Sequence, residues 1–394
     1  MEKFRCRIKK FFVIQNILVI FLFTVMLAAI LCLIILPKPE FSEQENRMLQ
    51  QFPKPSWGSI SNGSFMEQMS DFVEDHFPAR SFFVSLNTTV CLAEGNKDIG
   101  GNYSETPAEG GAYFGKQEHL YEVLLPDKNR TYQKNVSGLV SFSQKSGIPL
   151  YFLPVPSAAA EQSENLPYSC PGNDQLEKLR ALQAGAGGNV KVIDLFHALS
   201  LQKTGQDYYF RTDHHWNTYG AYVGYTELCN AMKIPCTPLS QFSFRAAERP
   251  FLGTLYSKAL FAWQKPDSLV LPYKADGWDL TQETDGSVHK GIYWDQFLTQ
   301  KDKYSVYLGG NPAVTVIRNS ASGKGKILIL KDSYANSMIS YLATNFSEIH
   351  LIDLRYYNKD IYDYIKQNGI HQTAAVYSLS QLSEVPIANK LLAG

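Results

Sequence analysis

The sequence has no surplus of charge of either sign: 37 Lys and Arg face 37 Asp and Glu. Its basic excess is confined to the first ten positions, where Lys3, Arg5, Arg7, Lys9 and Lys10 lie. With those five and Glu2 set aside, 32 basic residues face 36 acidic ones. A mildly acidic body without a basic stripe is not built to track a phosphate backbone, so nucleic acid is not expected as a partner. Metal signatures are missing as well. There is no C-x-x-C and no H-E-x-x-H, so neither a structural zinc site nor a zincin has support. No metal or other cofactor is expected. No internal repeat and no long low-complexity tract occurs. Charged residues are scarce at 19% while hydrophobic ones reach 45%, which suits a chain with a sizeable core and excludes a disordered polymer. Tyrosine is plentiful, at 23 residues. That suits a surface for flat polar ligands such as sugars, and Tyr-rich cores equally.

The longest apolar run is residues 17–36, ILVIFLFTVMLAAILCLIIL, with one Thr and no charge. Its length spans a bilayer as a helix. The basic cluster precedes it and Pro37 ends it. The positive-inside rule then puts the N-terminus in the cytoplasm and everything after about residue 37 outside. The run exceeds a signal-peptide core and no A-x-A site follows, so an uncleaved single-pass anchor in the cell membrane is expected. Of six cysteines, Cys91, Cys170, Cys229 and Cys236 fall outside, where disulfides persist. Four cysteines allow three pairings, and Cys229 and Cys236 are close enough to pair across a helix end.

The chain divides into a basic cytoplasmic tail (1–10), the transmembrane anchor (11–36), a stalk with a helical collar (37–110) and a large α/β domain (111–394). The collar reads as helices over 59–93, broken at Asp75–Arg80, where Pro78 starts the second piece. The Gly-rich stretch 95–111 reads as a loop. Helices are then expected at 128–146, 174–184, 218–232, 335–345 and 359–367. They alternate with strands at 149–155, 190–195, 326–330, 349–354 and 373–377. That alternation points to a parallel sheet with helices on both faces. Residues 240–310 are less regular.

Two places carry candidate chemistry. Ser333 follows the strand 326–330 and enters a helix, where open α/β sheets present reactive groups. The free N–H groups of a helix start stabilise an oxyanion. Ser and Asp are also ordinary helix-capping residues. The second place is Thr212-Asp213-His214-His215-Trp216. In an extended segment Asp213 and His215 share a side and His214 points away. A carboxylate on one ring nitrogen leaves the other to act as general base toward a Ser nucleophile. A metal held by the His pair, a buried structural His, or Asp213 as a helix cap explains the same residues.

At these residues the sequence resembles the DHHW protein family, which is related to the alginate O-acetyltransferases and has an SGNH-hydrolase-like fold. The resemblance rests on FSEQENRMLQQFPKP (41–55) with DFVEDHFPARSFF (71–83), TDHHWNTYGAY (212–222), YLGGN (307–311), and ILKDSYANSMISYL (329–342) with LIDLRYY (351–357). It implies Ser333 as nucleophile, with His215 and Asp213 as base and acid. It implies Asn311 as an oxyanion residue, although Gly309-Gly310-Asn311 is also an ordinary turn. Arg355 and Tyr356, at another strand end, are expected to contact substrate, and Trp216 and Tyr334 flank the triad as substrate contacts or packing residues. The order of the motifs is the reverse of a typical SGNH enzyme, and Lys331 stands where such enzymes carry Gly.

The resemblance implies an extracytoplasmic O-acetyltransferase acting on a cell-surface or secreted polysaccharide. One helix cannot export an activated acyl group, so a membrane-bound O-acyltransferase is implied as donor partner. An esterase would use the same three residues, and a non-catalytic polysaccharide-binding module would keep the fold. A glycosidase needs two facing carboxyls, which no sequence feature nominates.

Overall fold

The computed structural model describes residues 2–35, 38–99, 111–124, 127, 129–168, 170, 174–201, 207–321 and 324–392, with the side chains of 2–12, 30–35 and 99 left out of the description. The chain forms two compact units, Met1–Val90 and Cys91–Gly394.

In the first unit a helix runs from Glu2 to Ile35. Among the described residues no helix is long and apolar enough to cross a membrane. The described side chains of this helix run from Val13 to Ala29, so the expected anchor at 11–36 lies partly outside the described residues. The expected broken collar is the helices Trp57–Ser61, Ser64–Asp75 and Arg80–Ala93. The Glu45–Arg47 and Asp75–Arg80 motifs meet in one ion network. Arg47 pairs with Glu45 at 2.9 Å and with Asp75, and Arg80 pairs with Glu45 at 2.9 Å and Glu74 at 3.1 Å. The same Asp75 carboxylate accepts the Gln50 N–H at 2.7 Å. Burial alone would raise the Asp75 carboxyl, but the Arg47 guanidinium and the Gln50 N–H outweigh it and hold it below its usual value.

The second unit is built on an eight-stranded sheet. Its strands are β1 (Leu150–Val155), β2 (Val190–Val192), β3 (Leu280–Thr284), β4 (Ser287–Lys290), β5 (Val314–Asn319), β6 (Lys326–Lys331), β7 (Glu348–Ile352) and β8 (Thr373–Ser378), in the spatial order β4-β3-β5-β7-β6-β8-β1-β2. From β7 to β2 every pairing is parallel. The sheet is not parallel throughout, as the alternation suggested: β5, β3 and β4 add an antiparallel edge. The β3–β4 pairing follows from a two-residue hairpin at Asp285-Gly286, where φ is 49° and 77°. A turn with positive φ at both positions joins neighbouring strands antiparallel, and Asp-Gly is a preferred pair for it.

Alternation along β6 feeds two cores. Ile327 and Ile329 join one cluster with Trp216, Tyr225, Met338 and Tyr341, while Leu328 and Leu330 join another with Leu139, Phe142 and Ile361. That is the period-two burial of a strand covered on both faces. The chain leaves β6 through the helix Ala335–Leu342 to β7 on one side, then returns through Ile361–Asn368 to β8 on the other. The connections reverse direction around β6, and the carboxyl end of such a strand opens a crevice. A short helix, Leu195–Leu201, stands where the strand at 190–195 was expected to end.

No disulfide joins Cys91, Cys170, Cys229 and Cys236, so the Cys229–Cys236 bridge is not formed. Cys229 is fully buried in the helix Thr218–Met232. Burial pushes its thiol up to about 12, so it stays protonated at neutral pH.

Candidate active site

Ser333 lies in a tight turn between β6 and the helix Ala335–Leu342. The preceding Asp332 fixes that turn. Its buried carboxylate accepts the Tyr334 N–H at 2.9 Å and the Ser378 N–H at 2.6 Å, which ties the ends of β6 and β8 together. Ser333 stays partly exposed while its neighbours are buried.

The Asp213–His215 segment is a turn, not an extended strand. An antiparallel bridge between Tyr209 and Trp216 closes its base. Asp267, 56 residues from Arg211, clamps the near side by accepting the N–H groups of Arg211 and Thr212, each at 2.8 Å, and the Thr212 hydroxyl at 2.6 Å. Asp213 and His215 do come together, yet for a different reason from strand alternation: Asp213 Oδ1 accepts the His215 backbone N–H at 3.0 Å, an Asx turn. In consequence His214 does not point away. Its ring centroid lies 3.9 Å from that of His215.

Across 118 residues of sequence the two segments meet. His215 Nε2 is 2.7 Å from Ser333 Oγ, and His215 Nδ1 is 2.6 Å from Asp213 Oδ1. Asp213 Oδ2 accepts the Thr254 N–H at 2.8 Å and its hydroxyl at 3.0 Å. Burial alone would raise the Asp213 carboxyl, but the two imidazoles and these donors hold it well below the usual carboxylate range. An ionised carboxylate only accepts, so the proton of the imidazole sits on Nδ1 and the Nε2 lone pair faces the Ser333 hydroxyl. Desolvation, with His215 beside it, pushes His214 down to about 3, so His214 is neutral near pH 7. Its Nδ1 is 2.7 Å from the Thr254 hydroxyl.

Tyr304 was not legible as part of the site. Its ring stacks on His215 with centroids 3.8 Å apart and planes at 8°, and its hydroxyl donates to the Ser333 carbonyl at 3.1 Å. Such a π-face stabilises an imidazolium as it forms. Asp213, His214 and His215 bring ligand atoms within 4.8 Å of one another. The proton partners already named occupy Asp213 and both nitrogens of His215, so the group fits proton transfer better than it fits a cation.

Trp216 and Tyr334, expected as substrate contacts or packing residues, are 0% and 2% exposed. Trp216 Nε1 donates to the Tyr334 carbonyl at 2.8 Å and to Ser337 Oγ at 2.9 Å, and the Tyr334 hydroxyl donates to the His214 carbonyl. The pair is the packing that holds the two segments in register. Gly224 lets Trp216 lie against its helix, since a methyl there would come within 2.6 Å of the indole.

Asn311 ends a loop in which Leu308, Gly309 and Gly310 all take positive φ. Its Oδ1 receives Lys331 Nζ and Asn336 Nδ2, each at 3.1 Å. Arg355 follows β7 and pairs with Asp353 through Nε at 2.9 Å and Nη2 at 2.6 Å, with its guanidinium 5.2 Å from the Tyr356 ring. Tyr356 is 54% exposed. The charge of Arg355 is thus answered within the chain, and Tyr356 is the side chain of this pair that faces solvent.

Gly253 is the least conspicuous part of the site. It backs directly onto Asp213, and a methyl there would overlap the carboxylate. Its φ of −83° suits any residue, so the requirement is steric. Gly253→Ala is expected to lower kcat by about 10²-fold, the scale of an ångström's misplacement, with the melting temperature changed by only a few degrees. Steady-state turnover beside a thermal melt checks this, and an unchanged kcat refutes the packing argument.

The DHHW protein family matches residues 185–352, which include Asp213, His215, Asn311 and Ser333. Among solved structures, a DHHW family protein from Eubacterium siraeum is 24% identical, with a TM-score of 0.59 over 72% of this chain and 98% of its own. Bacillus cereus PatB1, solved with a sulfonyl adduct, is 25% identical, with a TM-score of 0.57 over 68% of this chain and 94% of its own. The O-acetyltransferase domain of Pseudomonas putida AlgJ is 17% identical, with a TM-score of 0.47 over 72% of this chain and all of its own. No curated protein matches the sequence. The first two share the mixed α/β fold with its large central sheet.

Proposed function

We propose that this chain, which carries the DHHW segment, is an O-acetyltransferase that acylates a polysaccharide through Ser333, His215 and Asp213. The observation that carries the reading is the line of contacts from Ser333 Oγ through His215 to Asp213, at 2.7 and 2.6 Å. Hydrogen bonds of that length between nucleophile, base and orienting acid are what acyl transfer needs.

In the first half-reaction the Ser333 hydroxyl proton passes to His215 Nε2 as Oγ attacks the carbonyl carbon of an acyl ester or thioester. The oxyanion takes hydrogen bonds from the Ser333 N–H, which has no protein partner among the described residues, and from Asn311 Nδ2. When the tetrahedral centre collapses, the leaving alcohol or thiol takes the proton from Nε2, and the acyl group stays on Oγ. In the second half-reaction a sugar hydroxyl gives its proton to Nε2 and attacks the acyl-serine. Ser333 Oγ then leaves with that proton and the sugar carries the ester. Asp213 remains ionised throughout and stabilises the imidazolium.

Transfer over hydrolysis rests on the DHHW resemblance, because water in place of the sugar gives an esterase with the same residues. The acceptor polysaccharide, a membrane-bound O-acyltransferase as donor, and anchoring by the apolar run 17–36 with a cytoplasmic N-terminus belong to the same proposal. The described part of that helix supports anchoring, since Val13 to Leu27 include twelve exposed apolar side chains, Ile14, Phe21 and Met26 among them.

The test uses full-length protein in detergent with a chromogenic acetyl ester and an added oligosaccharide. Ser333-dependent release of the chromophore with acetyl recovered on the sugar supports transfer. Recovery as acetate alone assigns an esterase, and no Ser333-dependent release refutes catalysis.

A further inference from the structure

Lys331 is a fully buried cation in the sheet. It ends β6, is 0% exposed, and its nearest carboxylate, Asp353, is 3.9 Å away. Burying an ammonium without a close counter-ion is unfavourable, and replacing such a group by an apolar one of similar size is often neutral or stabilising. Packing therefore gives no reason for a lysine here. Its one close contact does. Lys331 Nζ donates to Asn311 Oδ1 at 3.1 Å.

An ammonium has donors only. Where oxygen and nitrogen of an amide are otherwise interchangeable, a lysine contact fixes which is which. Asn311 must turn its oxygen toward Lys331, and Asn336 Nδ2 occupies the remaining lone pair of that oxygen at 3.1 Å. The Nδ2 donors of Asn311 are then directed away from both, and they meet no acceptor among the described residues. Lys331 precedes Ser333 by two residues and Asn336 follows it by three, so both orienting groups are attached to the turn that carries the nucleophile.

We propose that Lys331 is a positioning residue that locks the Asn311 amide with its N–H groups presented to the oxyanion. The inference rests on the acyl-transfer reading above and extends it. It also accounts for a basic residue at the position where the SGNH pattern has glycine: the side chain holds the oxyanion amide and does not touch the substrate itself.

The test is a double-mutant cycle on the full-length protein with the chromogenic ester. Lys331→Met keeps the length and removes the donor. It is expected to lower kcat about 10²- to 10³-fold, the scale for losing one oxyanion donor, with KM within about threefold of wild type. Asn311→Ala is expected to lose as much, and the double variant no more than either. Lys331→Gln, which keeps a donor, is expected to recover at least about tenfold of the loss, which a merely structural role would not give. Labelling of Ser333 by a sulfonyl fluoride reports that each variant is folded with its nucleophile in place. Turnover by Lys331→Met within threefold of wild type, multiplying losses in the double variant, or no advantage of Gln over Met overturns the inference. A wild-type chain without Ser333-dependent turnover overturns the enzymatic reading and this one together, whereas the former outcomes leave that reading intact.

Discussion

Ser333→Ala is expected to lower kcat by about 10⁶-fold, with what remains supplied by the oxyanion donors and by binding. The hydroxyl is the partner of His215 Nε2 at 2.7 Å, and no acyl-enzyme forms without it. His215→Ala is expected to cost about as much, and the pair together no more, because the two act as one unit. The substitution leaves the turn intact, since its scaffold runs through the Asp332 carboxylate and through the Ser333 carbonyl, which Tyr304 holds at 3.1 Å. Ester turnover measures the loss, and mass spectrometry after a sulfonyl fluoride checks its cause: the wild type gains the sulfonyl mass and the variant does not. A Ser333→Ala protein that keeps more than about one hundredth of the activity assigns the nucleophile elsewhere.

Asp213→Asn is expected to cost about 10⁴-fold, or about 5.5 kcal/mol of transition-state stabilisation. Both oxygens of Asp213 are surrounded by donors: His215 N–H and Nδ1–H on one, the Thr254 N–H and hydroxyl on the other. An amide must turn its own NH₂ toward one of those pairs. If it faces His215, the imidazole shifts its proton to Nε2 and no longer accepts one from Ser333. If it faces Thr254, a buried N–H loses its acceptor, at about 1–3 kcal/mol of stability. Nitrogen chemical shifts of His215 report the tautomer directly, and a variant within tenfold of wild type would disprove the role. The carboxyl also fixes an acid-stability sign. Its folded-state value lies below the unfolded value of about 4, so its contribution is complete above that pH and lost as the pH falls below it. Asp213→Asn should therefore lose less stability than wild type as the pH drops from about 5 to 3, as melting curves would record.

How much of this could be read without coordinates differs from one element to the next. β1, β6, β7 and β8 announce themselves because strands buried on both faces are unbroken apolar runs, and the helix between β7 and β8 opens on a capping Asp360. β3 and β4 do not, because LTQET and SVHK lie toward an edge where one side is wet, and seven of their nine residues are polar. The Asp-Gly between them was the available signal, and it marks a hairpin more firmly than the apolar pattern does. At the site, Ser333 is readable from its place after a buried strand, and Asp213 with His215 from their spacing. The supports are not. Thr254 and Gly253 contact Asp213 from about 40 residues away, Asp267 holds Thr212 from 55 away, and Tyr304 covers His215 from 89 away. A single Gly or Asp at such a distance has no periodicity to betray it. For Trp216 and Tyr334 the sequence left substrate contact and packing both open, and burial decides for packing: they are the wedge between two segments that must not slide.

The reactive hydroxyl and its base are mounted on parts of different construction. β6 has parallel neighbours on both sides and sends side chains into both cores. Amides in such a strand exchange with solvent only when the whole domain opens. The His215 arm is an irregular segment held by the Asp267 and Thr254 contacts, by the backbone bridge of Tyr209 to Trp216, and by burial of Trp216. The buried Trp216 indole, bonded to the Tyr334 carbonyl and to Ser337, couples this segment to the turn that carries Ser333. Base and nucleophile therefore share one core, and their alignment is lost only when that core opens.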